Sequence, residues 1–399
     1  MRDNTKDKTK ILLFTQYFHP DITAASFRMY ELYKCLKKGG FKVEVVTTFP
    51  HRSNVEHIEA SHDIHRVRVH FTLPKNKFRH VYYYLEFVLK AFFVILKNKF
   101  FDCDLIFVSS PPIFIGIEAL IISKIYKKRL FLGIRDLWPD MVADVGIIQR
   151  NGLIYKTFKW LEKALYRKAD KVFCVSEPMK KYISVYNSDV TVVYNGVSEE
   201  DFLRFENKPL IQKDKDTFNV FYAGNIGMAQ TLDFVFDAAK KLLDENNLDF
   251  SFHIIGEGVK LKEYKEIVKM NNLKNITFHK ALPREKLLEY LYNNADILLL
   301  PLKKGWCFEK TIPSKLFDYL LLKKPIVYHI YGEGKEILKE LDIGEEFLLD
   351  ADNFILALEK IRSNYSKYLR STDLRNFSVL KKFLRENQFY KIIQRLQSP

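Results

Sequence analysis

Short apolar runs rich in β-branched residues alternate with longer amphipathic patterns along the chain, and this alternation constrains the fold more than any other feature. Runs that are apolar throughout are typical of parallel strands buried on both faces. In the first half, strands are predicted over 10–18, 42–49, 67–73, 104–110, 130–136, 171–176 and 190–195, and helices over 26–38, 80–98, 114–127 and 151–168. This order predicts a doubly wound α/β domain.

A second series of the same kind follows a charged, aperiodic stretch over 196–216. Its strands are predicted over 218–224, 250–256, 276–282, 297–302, 325–330 and 345–350. We therefore predict an α/β protein with two Rossmann-like domains facing a cleft, where the carboxyl ends of the strands would bind a ligand. The expected parts are an N-terminal domain (1–200), a linker (201–216), a C-terminal domain (217–380) and a C-terminal helix (381–399) that packs back on the N-terminal domain.

Composition narrows the function classes. The 399 residues are 47% hydrophobic and 28% charged, which excludes a disordered chain. The net charge is +15, and the first 200 residues carry +11 of it. Such an excess attracts a phosphate-bearing substrate, an anionic lipid surface or nucleic acid, unless it is only a solvated surface.

Cysteine spacing and the absence of targeting signals bear on location. The four cysteines, Cys35, Cys103, Cys174 and Cys307, lie too far apart for a zinc signature and are predicted to be free thiols in a reducing compartment. The apolar stretch after the polar N-terminus is too short for a signal-peptide core. We therefore expect a cytoplasmic protein.

Two glycine-containing turns follow predicted strands of the second domain, YAGNIG (222–227) and IIGEGVKL (254–261). A strand that enters such a turn before a helix directs backbone N–H groups at an anion. An ordinary strand-to-helix turn is the alternative for each. The three-glycine dinucleotide fingerprint is absent, which disfavours a dehydrogenase.

The segment FEKTIPSKLFDYLLLKKPIV (308–327) is a stronger signal. Pro313 and Ser314 are predicted to open a helix. Lys315 then lies in the first turn, where a cation is unfavourable unless an anion binds the same helix end. Asp318 falls on the same side as Ser314, where its carboxylate can accept hydrogen bonds from vicinal hydroxyls. The alternative is an exposed lysine and a surface aspartate.

In the first domain, GIRDLWPD (133–140) ends a buried strand. Arg135 and Asp136 are predicted to project into the cleft, or to form a structural ion pair.

Seven motifs in this order resemble the family 4 retaining glycosyltransferases with the GT-B fold: YFHPDITAASFR, IRDLWPD, VVYNGV, FYAGNIG, IIGEG, ADILLLPL and TIPSKLFDYLLLKKPIV. The resemblance extends over nearly the whole chain. It is greatest to the branch that builds bacterial surface polysaccharides such as O-antigen and capsule, including aminosugar transferases. It implies transfer of a sugar, an N-acetylated aminosugar in that branch, from a UDP-sugar to a lipid-linked or oligosaccharide acceptor. It also implies that no metal or other cofactor takes part.

The resemblance implies roles for individual residues. The diphosphate would be held by the turn at Gly224 and by the helix start at Ser314, the base by the backbone near Leu282 and Pro283, and the ribose by Asp318. The full donor-binding set is Gly224, Asn225, Gly227, Gly256, Glu257, Gly258, Leu282, Ser314, Lys315, Leu316 and Asp318.

Three departures from the family pattern shape the rest of the prediction. Lys310 falls on the first position of the family's acidic pair, so Glu309, one residue earlier, becomes a candidate catalytic residue with Arg135 and Asp136. Arg135 occupies the position at which many members carry a histidine. The segment after Gly227 lacks the usual basic pair, so Lys315 would carry more of the diphosphate charge with Arg28. The acceptor-binding candidates are His19, Thr23 and Arg28.

The segment FRHVYYYLEFVLKAFFVILKNKF (78–100) has three interpretations: a half-buried core helix, an interfacial helix on anionic lipid, or a membrane span. Arg79, Glu86, Lys90 and Lys97 recur at helical spacing as one narrow polar stripe. The basic neighbours Lys75, Lys77 and Lys99 favour anionic lipid.

Two other function classes remain open at this point. A nucleotide-sugar epimerase shares the two-domain architecture, although the carboxylates and histidine that it needs around the sugar are not evident. A nucleic-acid-binding protein would use the basic charge, although the basic residues are dispersed rather than interleaved with aromatic ones.

Overall fold

The computed structural model describes residues 9–21, 23–50, 61–70, 77–211 and 217–397. The chain divides into two compact units. The first comprises Met1–Tyr194 and Glu386–Pro399, and the second comprises Asn195–Arg385. The division therefore falls at Tyr194, a few residues before the expected boundary at 200.

The first unit is built on a parallel sheet. Its strands are β1 (Lys10–Phe14), β2 (Lys42–Thr48), β3 (Ile64–Val67), β4 (Leu105–Ser110), β5 (Arg129–Ile134), β6 (Lys171–Cys174) and β7 (Val190–Val192). Its helices are α1 (Ala24–Lys38), α2 (Lys77–Lys97), α3 (Ile113–Ile125), α4 (Asp140–Asp144), α5 (Leu153–Lys168) and α6 (Glu177–Ile183). The strand order is β3-β2-β1-β4-β5-β6-β7.

The second unit repeats this plan. Its helices are α7 (Glu199–Glu206), α8 (Asp233–Asp244), α9 (Leu261–Met270), α10 (Arg284–Asn294), α11 (Ser314–Leu321), α12 (Gly332–Leu341), α13 (Ala351–Ser363) and α14 (Tyr365–Leu380). Its strands are β8 (Phe218–Ala223), β9 (Phe250–Ile255), β10 (Ile276–His279), β11 (Ile297–Pro301), β12 (Ile326–His329) and β13 (Gly344–Glu346), in the parallel order β10-β9-β8-β11-β12-β13. The last helix, α15 (Arg385–Gln397), lies almost wholly in the residues assigned to the first unit.

Each sheet has its own hydrophobic core. In the first unit, Met29, Leu32 and Leu36 of α1 pack with Phe389 and Ile392 of α15 over the central strands. In the second unit, α8 and α13 cover β8 and β9, with Phe234 and Phe354 at the centre of the cluster. Strand β1 from Ile11 on and the whole of β4 are buried, which explains why both strands are predominantly apolar. Two Rossmann-like α/β units confirm the predicted fold class.

Two predictions about local structure were wrong. The third strand was expected over 67–73 but lies at Ile64–Val67, and 71–76 fall outside the described residues. The stretch expected to be a linker contains α7, which Ser198 caps by accepting a hydrogen bond from the Asp201 N–H at 3.2 Å. The sequence pattern did not predict α7, because charged residues surround the two that form its buried face, Phe202 and Phe205.

Helix α2 is half-buried, which agrees with two of its three interpretations, the core helix and the interfacial helix. Tyr83, Phe87, Ala91 and Ile95 are buried, whereas Tyr82, Leu85, Leu89 and Phe93 are exposed. The polar stripe includes an ion pair between Glu86 and Lys90, 2.7 Å apart. Lys75 lies outside the described residues, as do the side chains of Lys77 and Arg79. None of the helices in the described ranges is long and apolar enough to cross a membrane.

Candidate functional site

Both predicted glycine turns lie at the carboxyl edge of the second sheet, and backbone hydrogen bonds join them. The N–H of Gly224 donates to the carbonyl of Ile255 at 2.9 Å, and the N–H of Ile226 donates to the carbonyl of Glu257 at 2.8 Å. Gly256 has φ +144°, and a Cβ on it would lie 1.9 Å from the carbonyl oxygen of Gly224. Only glycine fits there, so the turns form one backbone surface.

Lys315 lies against this surface. A Cβ on Gly224 would lie 2.3 Å from Lys315 Cε, so the lysine stem occupies the space that the glycine leaves. The ammonium donates to Tyr222 Oη at 2.6 Å and lies 3.8 Å from the centre of the Tyr222 ring. Tyr222 Oη in turn donates to the carbonyl of Asn225 at 2.5 Å. The buried Tyr222 thus joins Lys315 to the turn.

The electrostatic state of Lys315 is unusual. Burial lowers the pKa of its ammonium to about 7. It forms no ion pair with any carboxylate among the described residues. Helix α11 begins beside it at Ser314, and Pro313 caps the helix without a side-chain hydrogen bond. The first N–H groups of α11 and the lysine ammonium are therefore donors suited to an anion.

Asp318 is already paired. Its Oδ1 accepts from Arg284 Nη2 at 2.6 Å, and Arg284 Nη1 donates to Asp201 Oδ2. The side chain of Asp318 remains 29% exposed. The expected surface aspartate is thus one end of an ion-pair chain, with room left for a further donor.

The remaining donor-site candidates lie in the same unit. Glu257 is exposed in the second turn, Gly258 has φ +159° against Ile226, and Gly227 is buried in the first turn beside the exposed Asn225. Leu282 is half-buried in the loop before α10, and Leu316 is fully buried in α11, so its side chain belongs to the core.

Glu309 lies in a short 3-10 helix, Phe308–Lys310. Its carbonyl packs against Gly332, where a Cβ would lie 2.0 Å from that oxygen. Beside it, the Lys310 ammonium lies 4.0 Å from the centre of the Trp306 ring. The Glu309 side chain is half-buried next to a lysine that stacks on an aromatic ring.

Arg135 and Asp136 lie directly after β5. The N–H of Arg135 donates to the carbonyl of Ser110 at 3.0 Å, which extends the pairing with β4. Its Nε is buried without an acceptor among the described residues. Burial lowers the pKa of Arg135 and raises the pKa of Asp136, and the opposite charge of each partner acts against this shift. Arg135 and Arg28 line one pocket of the first unit, with Ser109 and Gly133.

The acceptor-site candidates have evident structural partners. Arg28 donates to the carbonyls of Val193 and Tyr194, both at 2.9 Å. Thr23 caps α1 by accepting from the Ser26 N–H at 3.1 Å. The exposed His19 stacks on Tyr30 with ring centres 4.5 Å apart.

Sequence reasoning missed three contributors. Tyr222 gave no signal beyond its place before Gly224. Arg284 did give a sequence signal, because it is a cation in the first turn of a helix. The same signal identified Lys315 as a candidate. Asp140, which ends the IRDLWPD motif, is a buried hub that accepts from Arg150 at 2.8 Å and from Tyr155 at 2.7 Å.

No cluster of three or more His, Cys, Asp or Glu that could hold a metal ion occurs in the part of the chain that the structure describes. Cys35, Cys103, Cys174 and Cys307 form no disulfide bond in the described part of the chain.

Comparison with known proteins defines the class. Residues 25–201 match the model of Glycosyltransferase Family 4, and residues 217–364 match that of Glycosyl transferases group 1. The chain therefore carries two glycosyltransferase domains on a GT-B fold and is a glycosyltransferase. These matches favour that activity over the epimerase and nucleic-acid alternatives.

Individual relatives agree with this class. The chain is 22% identical over 342 residues to the putative colanic acid biosynthesis glycosyl transferase WcaI of Escherichia coli K12, covering 78% of this chain and 81% of that protein. Among solved structures, it is similar to WaaG, a glycosyltransferase involved in lipopolysaccharide biosynthesis (TM-score 0.67, 10% identity, 97% and 100% of the two chains covered). It is also similar to Anabaena HepE in complex with UDP (TM-score 0.63, 13% identity, 98% and 100% covered).

Proposed function

We propose that this glycosyltransferase takes its sugar from a UDP-sugar, without a metal ion, and transfers it with retention of configuration to a lipid-linked or oligosaccharide acceptor. The product belongs to a surface polysaccharide, such as O-antigen or capsule. The transferred sugar is an N-acetylated aminosugar, a choice that rests on the motif resemblance alone.

The observation that carries the donor proposal is the Lys315 ammonium. It is desolvated, has no carboxylate partner among the described residues, and lies between the glycine turns and the start of α11. A diphosphate would supply the missing counter-charge, and the helix N-terminus would add backbone donors. These donors would stabilise the leaving diphosphate in place of a metal ion. The complexes of HepE with UDP and with UDP-glucose support this type of donor.

The polysaccharide assignment has separate support. The relative WcaI is named for colanic acid biosynthesis, and WaaG for lipopolysaccharide biosynthesis.

The test is calorimetric binding of UDP, ADP and GDP in the presence of EDTA, followed by turnover with a panel of UDP-sugars. We expect UDP to bind without added metal, and one UDP-sugar to yield a glycoside with retained anomeric configuration by NMR. Failure of every nucleotide diphosphate to bind would refute the donor site. An inverted linkage would refute the retaining mechanism.

We further propose that the first unit docks on the inner face of the cell membrane. Helix α3 packs against both α2 and α5. These helices expose large apolar side chains: Tyr82, Leu85, Leu89 and Phe93 on α2, Ile121 and Ile125 on α3, and Leu153, Ile154 and Trp160 on α5. We call these nine side chains the apolar face. The exposed Lys97, Lys124, Lys127 and Lys156 on or next to the same helices suit an anionic bilayer.

A further inference from the structure

Arg284, the first residue of α10, joins three helices of the second unit through its guanidinium. One nitrogen, Nη2, donates to Asp318 of α11 at 2.6 Å, and the other, Nη1, donates to Asp201 of α7. Asp201 Oδ2 also accepts from Ser198 Oγ at 2.7 Å. The result is a continuous chain, Ser198–Asp201–Arg284–Asp318.

The two ends of this series of hydrogen-bonded side chains, Ser198–Asp201 and Asp318, differ. The Asp201 side chain is only 7% exposed and has neighbours for both of its oxygens. The Asp318 side chain is 29% exposed, and Arg284 uses only its Oδ1. Among the described residues, no donor is found for Asp318 Oδ2. The series of hydrogen-bonded side chains is therefore anchored at the buried Asp201. At its other end, Asp318 Oδ2 is available to accept a hydrogen bond.

That oxygen lies in the nucleotide part of the proposed donor site. Asp318 is on the same side of α11 as Ser314. Arg284 directly follows Leu282 and Pro283, the loop expected to contact the base. The guanidinium is rigid and planar, so the bond of Nη1 to Asp201 fixes the position of Nη2, which holds Asp318 Oδ1; a flexible ammonium would not transmit this anchoring.

We propose that Arg284 is a positioning residue. It holds Asp318 so that Oδ2 accepts a hydrogen bond from a ribose hydroxyl of the nucleotide, and it ties this carboxylate to the base-contacting loop. This inference rests on the proposed function, since it places a nucleotide at this edge of the sheet.

The experiment compares the affinities of UDP and 2′,3′-dideoxy-UDP for the full chain by calorimetry. The ratio of the two dissociation constants reports the hydroxyl contact, and both values come from the same preparation, so the folded fraction cancels. Wild type should prefer UDP by about tenfold or more, the range of a hydrogen bond to a charged group. In Arg284→Gln the preference should fall to within about threefold, and Asp318→Asn should lose it similarly.

Two further variants separate positioning from general stability. Arg284→Lys keeps the charge but places all of its N–H donors on one nitrogen, so compared with Arg284→Gln it should restore part of the preference. The matched control is Arg362→Gln, because Arg362 also bridges two carboxylates of this unit, Asp249 at 2.7 Å and Glu359 at 3.4 Å. Its UDP preference should equal that of wild type.

The outcomes distinguish this inference from the proposal beneath it. If wild type binds neither UDP nor its dideoxy analogue, the proposed donor site is refuted. If wild type binds both equally, the ribose contact of Asp318 is refuted and the role of Arg284 with it. If Arg284→Gln binds UDP and keeps the full preference, Arg284 is not a positioning residue, while the proposed function stands.

Discussion

At the scale of single residues, Lys315 matters most for ligand binding. Two features of its surroundings destabilise its positive charge. Its ammonium is desolvated, and it lies at the positive end of the α11 dipole. Tyr222 offsets only part of this cost through one hydrogen bond and its ring face. An anion that binds there gains a charge-assisted hydrogen bond and also supplies a counter-charge that no carboxylate among the described residues provides.

Lys315→Ala should therefore weaken the binding of UDP-glucose by roughly tenfold to a hundredfold, since a hydrogen bond to a charged group contributes about 1.5–3 kcal/mol. The measurement is titration calorimetry at neutral pH. Lys262→Ala is the control, because that lysine is almost fully exposed in α9. Equal affinity of Lys315→Ala and wild type would reject the contact.

The low pKa of Lys315 predicts a pH dependence. In the free protein the ammonium loses its proton as pH rises through about 7, whereas a bound diphosphate would raise this pKa. Affinity for UDP-glucose should therefore be constant below pH 7 and fall above it, by up to about tenfold per pH unit. The diphosphate of UDP-glucose does not titrate near neutral pH, so it does not contribute to the pH dependence of the affinity.

Proton uptake gives an independent reading of the same prediction. Calorimetry near pH 8 in buffers of different ionisation enthalpy should show protons taken up on binding. Lys315→Arg keeps the charge at every accessible pH, so its profile should be flat. A flat profile in wild type would contradict a titrating Lys315.

At the scale of elements, the two glycine turns act as one part because their backbones touch. Gly256 is left-handed at φ +144°, and its missing side chain lets the carbonyl of Gly224 approach. A side chain at Gly256 would separate the turns and displace the surface on which Lys315 lies. The ends of β8 and β9 thus depend on each other.

Gly256→Ala should lower the free energy of unfolding by about 3 kcal/mol or more, since backbone strain and a steric clash each cost about 1–3 kcal/mol. Gly40→Ala isolates the conformational part. Gly40 has φ +86°, but a Cβ added to it would meet nothing within 4 Å, so the cost of this change should be about 1 kcal/mol. Urea denaturation followed by circular dichroism measures both, and equal costs would show that the contact with Gly224 is unimportant.

At the scale of the whole molecule, charge and exposed apolar surface are unevenly distributed. The first 200 residues carry +11 of the net +15, and the first unit also carries the apolar face on α2, α3 and α5. Exposed apolar side chains are ordinary when scattered, but a group on three adjacent helices indicates an interaction surface. Basic neighbours favour an anionic bilayer as its partner.

Sedimentation with liposomes tests this docking. Binding of the wild-type chain should rise with anionic lipid content and fall with salt. Leu89 and Phe93 are 64% and 67% exposed, so the double change Leu89→Asp with Phe93→Asp should weaken partitioning by at least about tenfold without disturbing the core. Leu374→Asp, at a leucine 77% exposed in the second unit, should bind as wild type does. A wild-type chain that stays in the supernatant at every lipid composition would refute docking.

The succession of strands along the chain can be predicted from the residue pattern alone, because buried parallel strands must be apolar on both faces and therefore form short, recognisable runs. The residue pattern also located both glycine turns and the start of α11, since glycine, proline and a lysine in the first helical turn are local signals. Helix α7 was not predicted, because its two buried aromatic residues, Phe202 and Phe205, lie among acidic residues and form no clear apolar pattern.

Which side chains come into contact depends on the three-dimensional packing of the elements. Arg284 lies 34 residues from Asp318 and 83 from Asp201, and no local pattern joins the three. The contact of Tyr222 with Lys315 spans 93 residues. Strand order and helix packing create these pairs and set their desolvation, which in turn sets the pKa of Lys315. Charge and burial at this site are therefore properties of the folded sheet edge, whereas the sequence specifies only the residue types that arrive there.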